Sequence, residues 1–430
     1  MNLNRTLPPS LNKIGEIKKP SLQFDRLSNG LDLSYINIGS QELVKLQISL
    51  PAGIVHQHQS LLAFFTNKML KEGSQNYSAA SIAEKMDSYG AYYETRITRD
   101  AAYFNLFCLN KYLHEVLPLV AEMLLVPTFS EKEFSILRDQ EKQSYEIRMQ
   151  KVKNKAIKEF TYRIFGEHHP YGSFAKVLDY DQIDIEGLKT FHQKHYQLQH
   201  WRIYLSGYID DKVKKVVDQY FGQIPLASSK ASPLGREIPQ ANEKPELYHQ
   251  LNKNAMQTAL KLGCMSIARS HDDYPALSLT QTILGGYFGS RLMQNIREDK
   301  GYTYGIYSSI QHLRQASVFS IGSEVGAHVA QATIEEVNKE LFQLRTTLVG
   351  EEELQLVKNY MSGSLLRSLN GPFALGEMMR MMDEFQLSEH YYADYLQAIQ
   401  NTSAAQVMQM ADKYLNEKQM MVVAIGGALQ

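Results

Sequence analysis

Cysteine is scarce in this chain of 430 residues, and long apolar runs are absent. Only Cys108 and Cys264 occur, which excludes a disulfide framework and paired CxxC metal sites and favours buried free thiols in a reducing compartment. No apolar run approaches the ~18 residues that span a bilayer, so no membrane partner is expected. The first residues lack the apolar core and cleavage site of a secretory signal, which favours a cytoplasmic protein.

A surplus of charge of either sign is also missing. The formal net charge is −1, from 45 basic and 46 acidic residues, so we expect no nucleic-acid partner. Hydrophobic residues make up 44% of the chain and charged residues 21%, which is ordinary composition for a globular protein. A chain of this length suits two domains of about 200 residues each.

The segment 225–246 contains four prolines and many small polar residues. Such a composition is typical of an exposed linker, which we place at 226–244. It would join an N-terminal domain of residues 15–225 to a C-terminal domain of residues 245–430.

A faint internal repeat indicates that the two halves are related. Tyr196 and Tyr414 each follow an amphipathic helix and precede an apolar strand that ends in glycine, and they are 218 residues apart. Phe134 and Leu354 lie near the acidic starts of two long helices and are 220 residues apart. Two landmarks with nearly equal offsets predict a duplicated domain in which superposition places Tyr196 near Tyr414.

The first half has its predicted strands early and its predicted helices mostly later. Two strands joined by a short turn are predicted over 31–38 and 43–53. β-branched and aromatic residues predict two more strands within 91–109. Helical periodicity predicts four helices, over 60–71, 79–89, 111–126 and 131–165. This order indicates an α+β fold in which helices pack on one side of a sheet.

The segment 51–82 includes LLAFFTNKML, which on its residues alone is an amphipathic core helix. The whole segment resembles the stretch of pitrilysin/insulinase-type zinc metallopeptidases that carries the inverted zinc motif HxxEH. The matching positions outside the motif are Gly53, Met69, Leu70, Gly73 and Ser74. The five motif positions themselves read FFTNK, so the zinc motif is degenerate.

The resemblance puts Phe64 and Lys68 in place of the two histidine ligands and Asn67 in place of the general-base glutamate. A catalytic zinc ion needs three protein ligands with free lone pairs and an open position for water. Phenylalanine has no donor atom, a lysine is protonated at neutral pH, and an amide cannot accept a proton from the water. The family's third ligand is a glutamate on a later helix, for which Glu141 or Glu146 is the candidate. We therefore expect no metal and no other cofactor in this chain.

The segment 284–310, LGGYFGSRLMQNIREDKGYTYGIYSSI, resembles the C-terminal signature of the same family. The resemblance implies that Arg297 and Tyr304 face the zinc ion across a chamber. A phenol aimed at the oxygen of a peptide carbonyl stabilises the negative charge that develops there. A guanidinium can hold a substrate carbonyl in a fixed, forked geometry. Without the resemblance, Arg297 would be a helix-ending arginine and Tyr304 an ordinary strand aromatic.

A further departure from the family lies in the strand that pairs with substrate. Members often carry Asn-Ala there, whereas this chain has Glu94 and Thr95. We expect this strand to have lost that task.

The resemblance as a whole implies a zinc-free subunit of a heterodimeric, processing-type peptidase. Two homologous sheet-and-helix-layer domains would form a half-shell, and a homologous partner would carry HxxEH and the zinc ion. Arg297 and Tyr304 would then act in trans on unfolded or extended peptides, and the chain alone would be inactive. Two alternatives stay open: a non-catalytic scaffold of the same fold, such as the core subunits of respiratory complexes, and a homodimer that binds peptides without cutting them.

Overall fold

The computed structural model describes residues 22–166, 168–227, 241, 244–252 and 255–429. Most of the predicted linker 226–244 and the start of the predicted domain 15–225 lie outside the described residues, so these boundaries stay predictions. No helix in the described part of the chain is long and apolar enough to cross a membrane.

The first half forms a six-stranded sheet with eight α-helices among its described residues. Its strands are β1 (Gln23–Arg26), β2 (Asp32–Asn37), β3 (Leu43–Leu50), β4 (Tyr92–Ile97), β5 (Ala102–Leu109) and β6 (Arg202–Gly207). Its helices are α1 (Leu62–Met69), α2 (Ala79–Ser88), α3 (Leu113–Leu125), α4 (Glu131–Gln150), α5 (Val152–Phe165), α6 (Asp179–Gln182), α7 (Ile185–His195) and α8 (Asp211–Val217).

The second half forms a five-stranded sheet. Its strands are β7 (Leu247–Leu251), β8 (Gln257–Ser266), β9 (Thr303–His312), β10 (Ser317–Gly326) and β11 (Met421–Gly426). Its helices are α9 (Tyr274–Gln281), α10 (Ala330–Thr346), α11 (Glu351–Ser368), α12 (Pro372–Glu384), α13 (Tyr391–Asn401) and α14 (Ala404–Tyr414). Two π-helical segments, Thr282–Gly286 and Met293–Asp299, lie between α9 and β9.

The two sheets share one topology. The strand order is β1-β2-β6-β3-β5-β4 in the first sheet and β7-β11-β8-β10-β9 in the second. Apart from the extra strand β1, each sheet has one parallel pair, β2 with β6 and β7 with β11, followed by antiparallel pairs. β4 and β9 are therefore equivalent edge strands, and among the described residues neither has a neighbouring strand on its outer side.

The helices follow the same duplication. Phe134 and Leu354 are each the fourth residue of their helix, α4 and α11. Tyr196 and Tyr414 lie near the same point of the duplicated unit, as predicted, and differ by one position. Tyr196 is the residue after α7, and the residue after α14 is Leu415. Tyr196 and Leu415 are both buried, because the chain turns at this point from the helix layer into a strand inside the sheet.

Alternation along β3 gives the first sheet two different faces. Val44, Leu46 and Ile48 belong to a large apolar core with the helix layer, whereas Lys45 and Gln47 point to the opposite face. A second apolar core lies between the second sheet and its own helices.

The opposite face of each sheet is covered by a helix from the other half. The predicted helix 131–165 is in fact two helices, because Lys151 is extended (ψ 126°) between α4 and α5. This break directs α5 onto the second sheet, where Phe160 and Ile164 share an apolar cluster with Val423 of β11. Reciprocally, α12 lies on the first sheet, where Met379 clusters with Tyr204 of β6.

Candidate functional site

α1 positions the residues of the degenerate zinc motif. Phe64 and Lys68 are four residues apart and share one face of the helix. Lys68 Nζ lies 2.8 Å from Glu141 Oε1 on α4, and the Glu141 side chain is only 14% exposed. The same ammonium is 5.4 Å from the centre of the Phe64 ring. Glu141, one of the two candidates for the third zinc ligand, is thus paired with the ammonium group of Lys68. The other candidate, Glu146, is exposed.

The remaining motif position serves packing. Asn67 is buried, and its Nδ2 donates to Tyr196 Oη at 3.4 Å. Burial raises the pKa of Tyr196, which keeps the phenol neutral. The Phe64 ring packs edge-on against Phe65 at a centroid distance of 5.2 Å.

These residues do not fit a zinc ion. Phe64 offers no lone pair, and the ammonium of Lys68 would repel a dication at the position where a ligand is needed. Of the residues Phe64, Asn67, Lys68 and Glu141, only Glu141 offers a suitable donor. Within the described ranges, no group of three or more histidine, cysteine, aspartate or glutamate side chains could hold a metal ion.

The second motif places Arg297 and Tyr304 side by side at the surface. The Arg297 guanidinium carbon lies 5.8 Å from the centre of the Tyr304 ring and 4.5 Å from that of Phe288. Tyr304 is 94% exposed and Phe288 59% exposed. A cation between two aromatic rings is a favourable arrangement, and it leaves the phenol of Tyr304 open to a partner or substrate.

Phe288 was not among the predicted site residues. The available signal was its position in GGYFGS, where a large aromatic side chain stands within a glycine-rich turn. Such turns lie at the surface, so an aromatic residue there is a candidate for binding.

Close packing fixes this motif to its surroundings. A Cβ atom at Gly285 would lie 2.8 Å from the backbone nitrogen of Ser308 on β9, so only glycine fits. Gly301, with a φ of 65°, turns the chain from the arginine segment into β9. Arg291 binds Glu353 of α11 through two nitrogens at 2.8 and 2.7 Å.

The two motifs lie in different halves of the chain. No hydrogen bond, ion pair or ring contact in the described part of the structure joins Arg297 or Tyr304 to Phe64, Asn67 or Lys68. Each motif instead has an edge strand beside it, β4 near α1 and β9 at Tyr304.

The predicted departure in the substrate strand falls on β4. Glu94 Oε1 accepts a hydrogen bond from Asn105 Nδ2 on β5 at 2.9 Å. Thr95 pairs with Phe104 on the same neighbouring strand. Among the described residues, β4 has no neighbouring strand on its other side. The departure at Glu94 and Thr95 therefore changes the side chains of this strand and not its position at the edge, and the predicted loss of substrate pairing stays a prediction.

Two family descriptions match the chain. "Insulinase (Peptidase family M16)" matches residues 40–172, and "Peptidase M16 inactive domain" matches residues 182–361. The chain therefore belongs to the M16, or insulinase, family of peptidases, which confirms the predicted resemblance.

Among its relatives is "Uncharacterized zinc protease YmxG" of Bacillus subtilis, which is 25% identical over 79% of this chain and 83% of that protein. "Probable inactive metalloprotease YmfF" of the same organism is 24% identical over 89% of this chain and 93% of that protein. The chain is thus similar to members described as proteases and to one described as inactive.

Two solved structures resemble the fold. A peptidase M16 inactive domain from Pseudomonas fluorescens has a TM-score of 0.84 and 25% identity, covering 95% of this chain and 98% of its own. A protease from Helicobacter pylori has a TM-score of 0.86 at 18% identity, covering 94% of this chain and 99% of its own. This likeness confirms the predicted α+β class with two homologous sheet-and-helix-layer domains in a half-shell.

Proposed function

We propose that this chain is the zinc-free subunit of a two-chain metallopeptidase. It would supply Arg297 and Tyr304 to the active site of a homologous partner that carries HxxEH and the zinc ion. One contrast carries the proposal: α1 has lost its zinc donors to Phe64 and Lys68, whereas Tyr304 stands outward, 94% exposed, beside Arg297. A fully exposed tyrosine on an edge strand adds nothing to the core, so its place is best explained by a contact with another molecule.

The proposed division of labour follows from the chemistry of each group. The partner's zinc ion would supply the Lewis acid and the activated water. The phenol of Tyr304 would donate a hydrogen bond to the carbonyl oxygen of the scissile peptide as negative charge develops there. Arg297 would hold a neighbouring carbonyl of the substrate, with Phe288 keeping its guanidinium in place.

The substrate class that suits this site is an extended peptide. β9 is the last strand of its sheet, so its free backbone groups can pair with an added strand. We place the assembly in the cytoplasm, on the composition of the chain. Alone, the chain would bind peptides without hydrolysing them.

Co-purification and reconstitution test this proposal. The chain, carrying a tag, should recover a homologous chain with an intact HxxEH motif from its native cells, and the mixture should hydrolyse peptides well above the partner alone. A homodimer without such a partner would favour the peptide-binding alternative. The description of one relative as a "probable inactive metalloprotease" supports that alternative. Recovery within a membrane complex, with no gain in hydrolysis, would favour the scaffold.

A further inference from the structure

The face of the second sheet that α5 covers is only partly closed. α5 lies over β8 and β11, and the strip above β10 and β9 remains open as a groove of about 430 Å³. One wall is α5, with Lys153 and Ile157, and the other is β9, with Tyr304 and Tyr307. The groove lining therefore includes Tyr304, the residue that the proposed function places next to the substrate.

The floor of the groove includes Gly322, which has no side chain and leaves room above the sheet. Gly322 on β10 pairs with Lys261 of β8 on one side and with Tyr307 of β9 on the other. A Cβ atom at Gly322 would lie 3.4 Å from Lys261 Cε, so the lysine side chain runs across the space above this glycine. The lysine thus points from β8 along the floor of the groove.

Lys261 forms no ion pair with a carboxylate of the described residues. Its Nζ donates to Ser320 Oγ at 2.9 Å, and no carboxylate of the described residues lies within 4.0 Å of it. Burial, followed by the charge of Lys153, lowers the pKa of Lys261. An ammonium group has three donors, so Nζ can still bond a further acceptor.

A lysine beneath the covering helix of the first sheet does have a carboxylate partner. Lys45 of β3, the strand equivalent to β8, also points toward the covering helix. There α12 provides Glu377, whose Oε1 lies 2.5 Å from Lys45 Nζ. α5 offers Lys261 only the Phe160 ring, 5.8 Å from Nζ. α12 thus supplies a carboxylate to the lysine of the first sheet, whereas α5 supplies none to the lysine of the second sheet.

The charged side chains of the groove sum to a net positive charge, which favours an anionic ligand. Its charged residues are Lys153, Lys261 and Glu324, and Glu324 Oε2 lies 3.9 Å from Lys153 Nζ. One positive charge thus remains at Lys261, half-buried in a groove of the size that small ligands occupy. The adjoining free edge of β9 fits an extended chain that brings a carboxylate with it.

We propose that this groove is a subsite for a carboxylate group of an extended peptide, which binds Lys261 Nζ while the peptide lies along β9. The carboxylate is either an acidic side chain or the C-terminus of the peptide. This inference rests on the proposed function for the role of β9 in binding peptides, but it needs no partner chain and no hydrolysis.

Fluorescence anisotropy on the isolated chain tests the subsite. The probes are three dye-labelled peptides of one extended sequence: neutral with an amidated end, the same with one internal glutamate, and the neutral sequence with a free C-terminal carboxylate. We expect one of the two charged peptides to bind about tenfold more tightly than the neutral one, the gain typical of a charge-assisted hydrogen bond. The peptide that gains identifies the source of the carboxylate.

Two variants assign the preference to the groove. Lys261→Met keeps the side-chain length and the contact with Phe160, and it should abolish the tenfold preference while the neutral peptide binds as before. Ser309→Glu, at an exposed groove position of β9, should have the same effect by placing a competing carboxylate there. Lys212→Met, an exposed lysine of α8, is the matched control and should keep the preference.

Equal binding of all three peptides would overturn the proposal, as would a preference that survives in Lys261→Met. A failure of the subsite is therefore visible on this chain alone, whereas a failure of the shared active site is visible only in the mixture with the partner.

Discussion

Replacing Phe64 and Lys68 together with histidine should create a zinc site on α1. The two imidazoles would lie four residues apart on one helix face, and Glu141 is already directed at position 68, since its Oε1 is 2.8 Å from Lys68 Nζ. Two histidines and one glutamate are a common ligand set for zinc. Asn67 is left unchanged, so the variant would bind the metal without gaining the general base and should not hydrolyse peptides.

The expected size of the effect follows from the ion pair. Without zinc, the variant leaves Glu141 largely buried and without its ammonium, which costs about 1–3 kcal/mol of unfolding free energy. Zinc at a hundredfold excess over its Kd should stabilise the variant by about 2.7 kcal/mol. The metal-free variant should therefore melt below the wild-type chain, and the zinc-loaded variant close to it or above.

The assay combines elemental analysis after gel filtration with thermal melts at increasing zinc concentration. We expect about one zinc per chain, an estimate from the single ligand set, and a melting temperature that rises with zinc only in the double variant. Adding Glu141→Gln to that variant is the control and should remove most of the binding. If the double variant takes up no zinc, or if Glu141→Gln binds it equally well, α4 does not supply the third ligand.

Three further changes test the structural reasoning. Lys68→Met in the otherwise unchanged chain should lower the unfolding free energy by about 1 kcal/mol, and a double-mutant cycle with Glu141→Gln should recover most of that as coupling; additive losses would contradict the ion pair. Gly285→Ala should cost about 1–3 kcal/mol in urea unfolding, because its Cβ would lie 2.8 Å from Ser308 N; an unchanged midpoint would show that β9 can move away. Burial, and then the charges of His56 and Lys194, lower the pKa of His195 to about 4. Below about pH 6.5 the histidine is protonated in the unfolded chain but stays neutral in the folded chain, so the unfolding free energy decreases as the pH falls toward 4. The expected decrease between pH 7 and 5 is about 2 kcal/mol. His195→Gln should reduce this pH dependence, and an identical pH profile would refute the assignment.

Local patterns were enough to predict most elements of the first half. The strand predicted at 43–53 and the two predicted within 91–109 correspond to β3, β4 and β5, with boundaries that differ by a few residues at the ends. The break at Lys151 was missed because no glycine or proline marks it. It arises from tertiary packing, since α5 must turn away from α4 to reach the sheet of the other half.

The candidate site likewise contains residues that the sequence predicted and residues that it did not. The motif residues were predictable because their spacing along the chain identifies them. Phe288 and Lys261 were not, because their importance depends on what surrounds them in space. Lys261 is one lysine among many in the sequence. Comparison with Lys45 of the first sheet, which pairs with Glu377, shows that Lys261 has no such carboxylate among the described residues.

The most direct test of the central claim is the effect of Tyr304→Phe on peptide hydrolysis by the assembled pair of chains. If the phenol is an oxyanion donor supplied in trans, kcat should fall by about 10²–10³, while gel filtration shows unchanged assembly. Tyr208→Phe, at a half-exposed tyrosine after β6, is the matched control and should keep full activity. Arg297→Ala should act more on KM than on kcat if it holds the substrate carbonyl in ground and transition states alike. A Tyr304→Phe complex that assembles normally and hydrolyses peptides at the wild-type rate would contradict the shared active site and leave the scaffold as the better explanation.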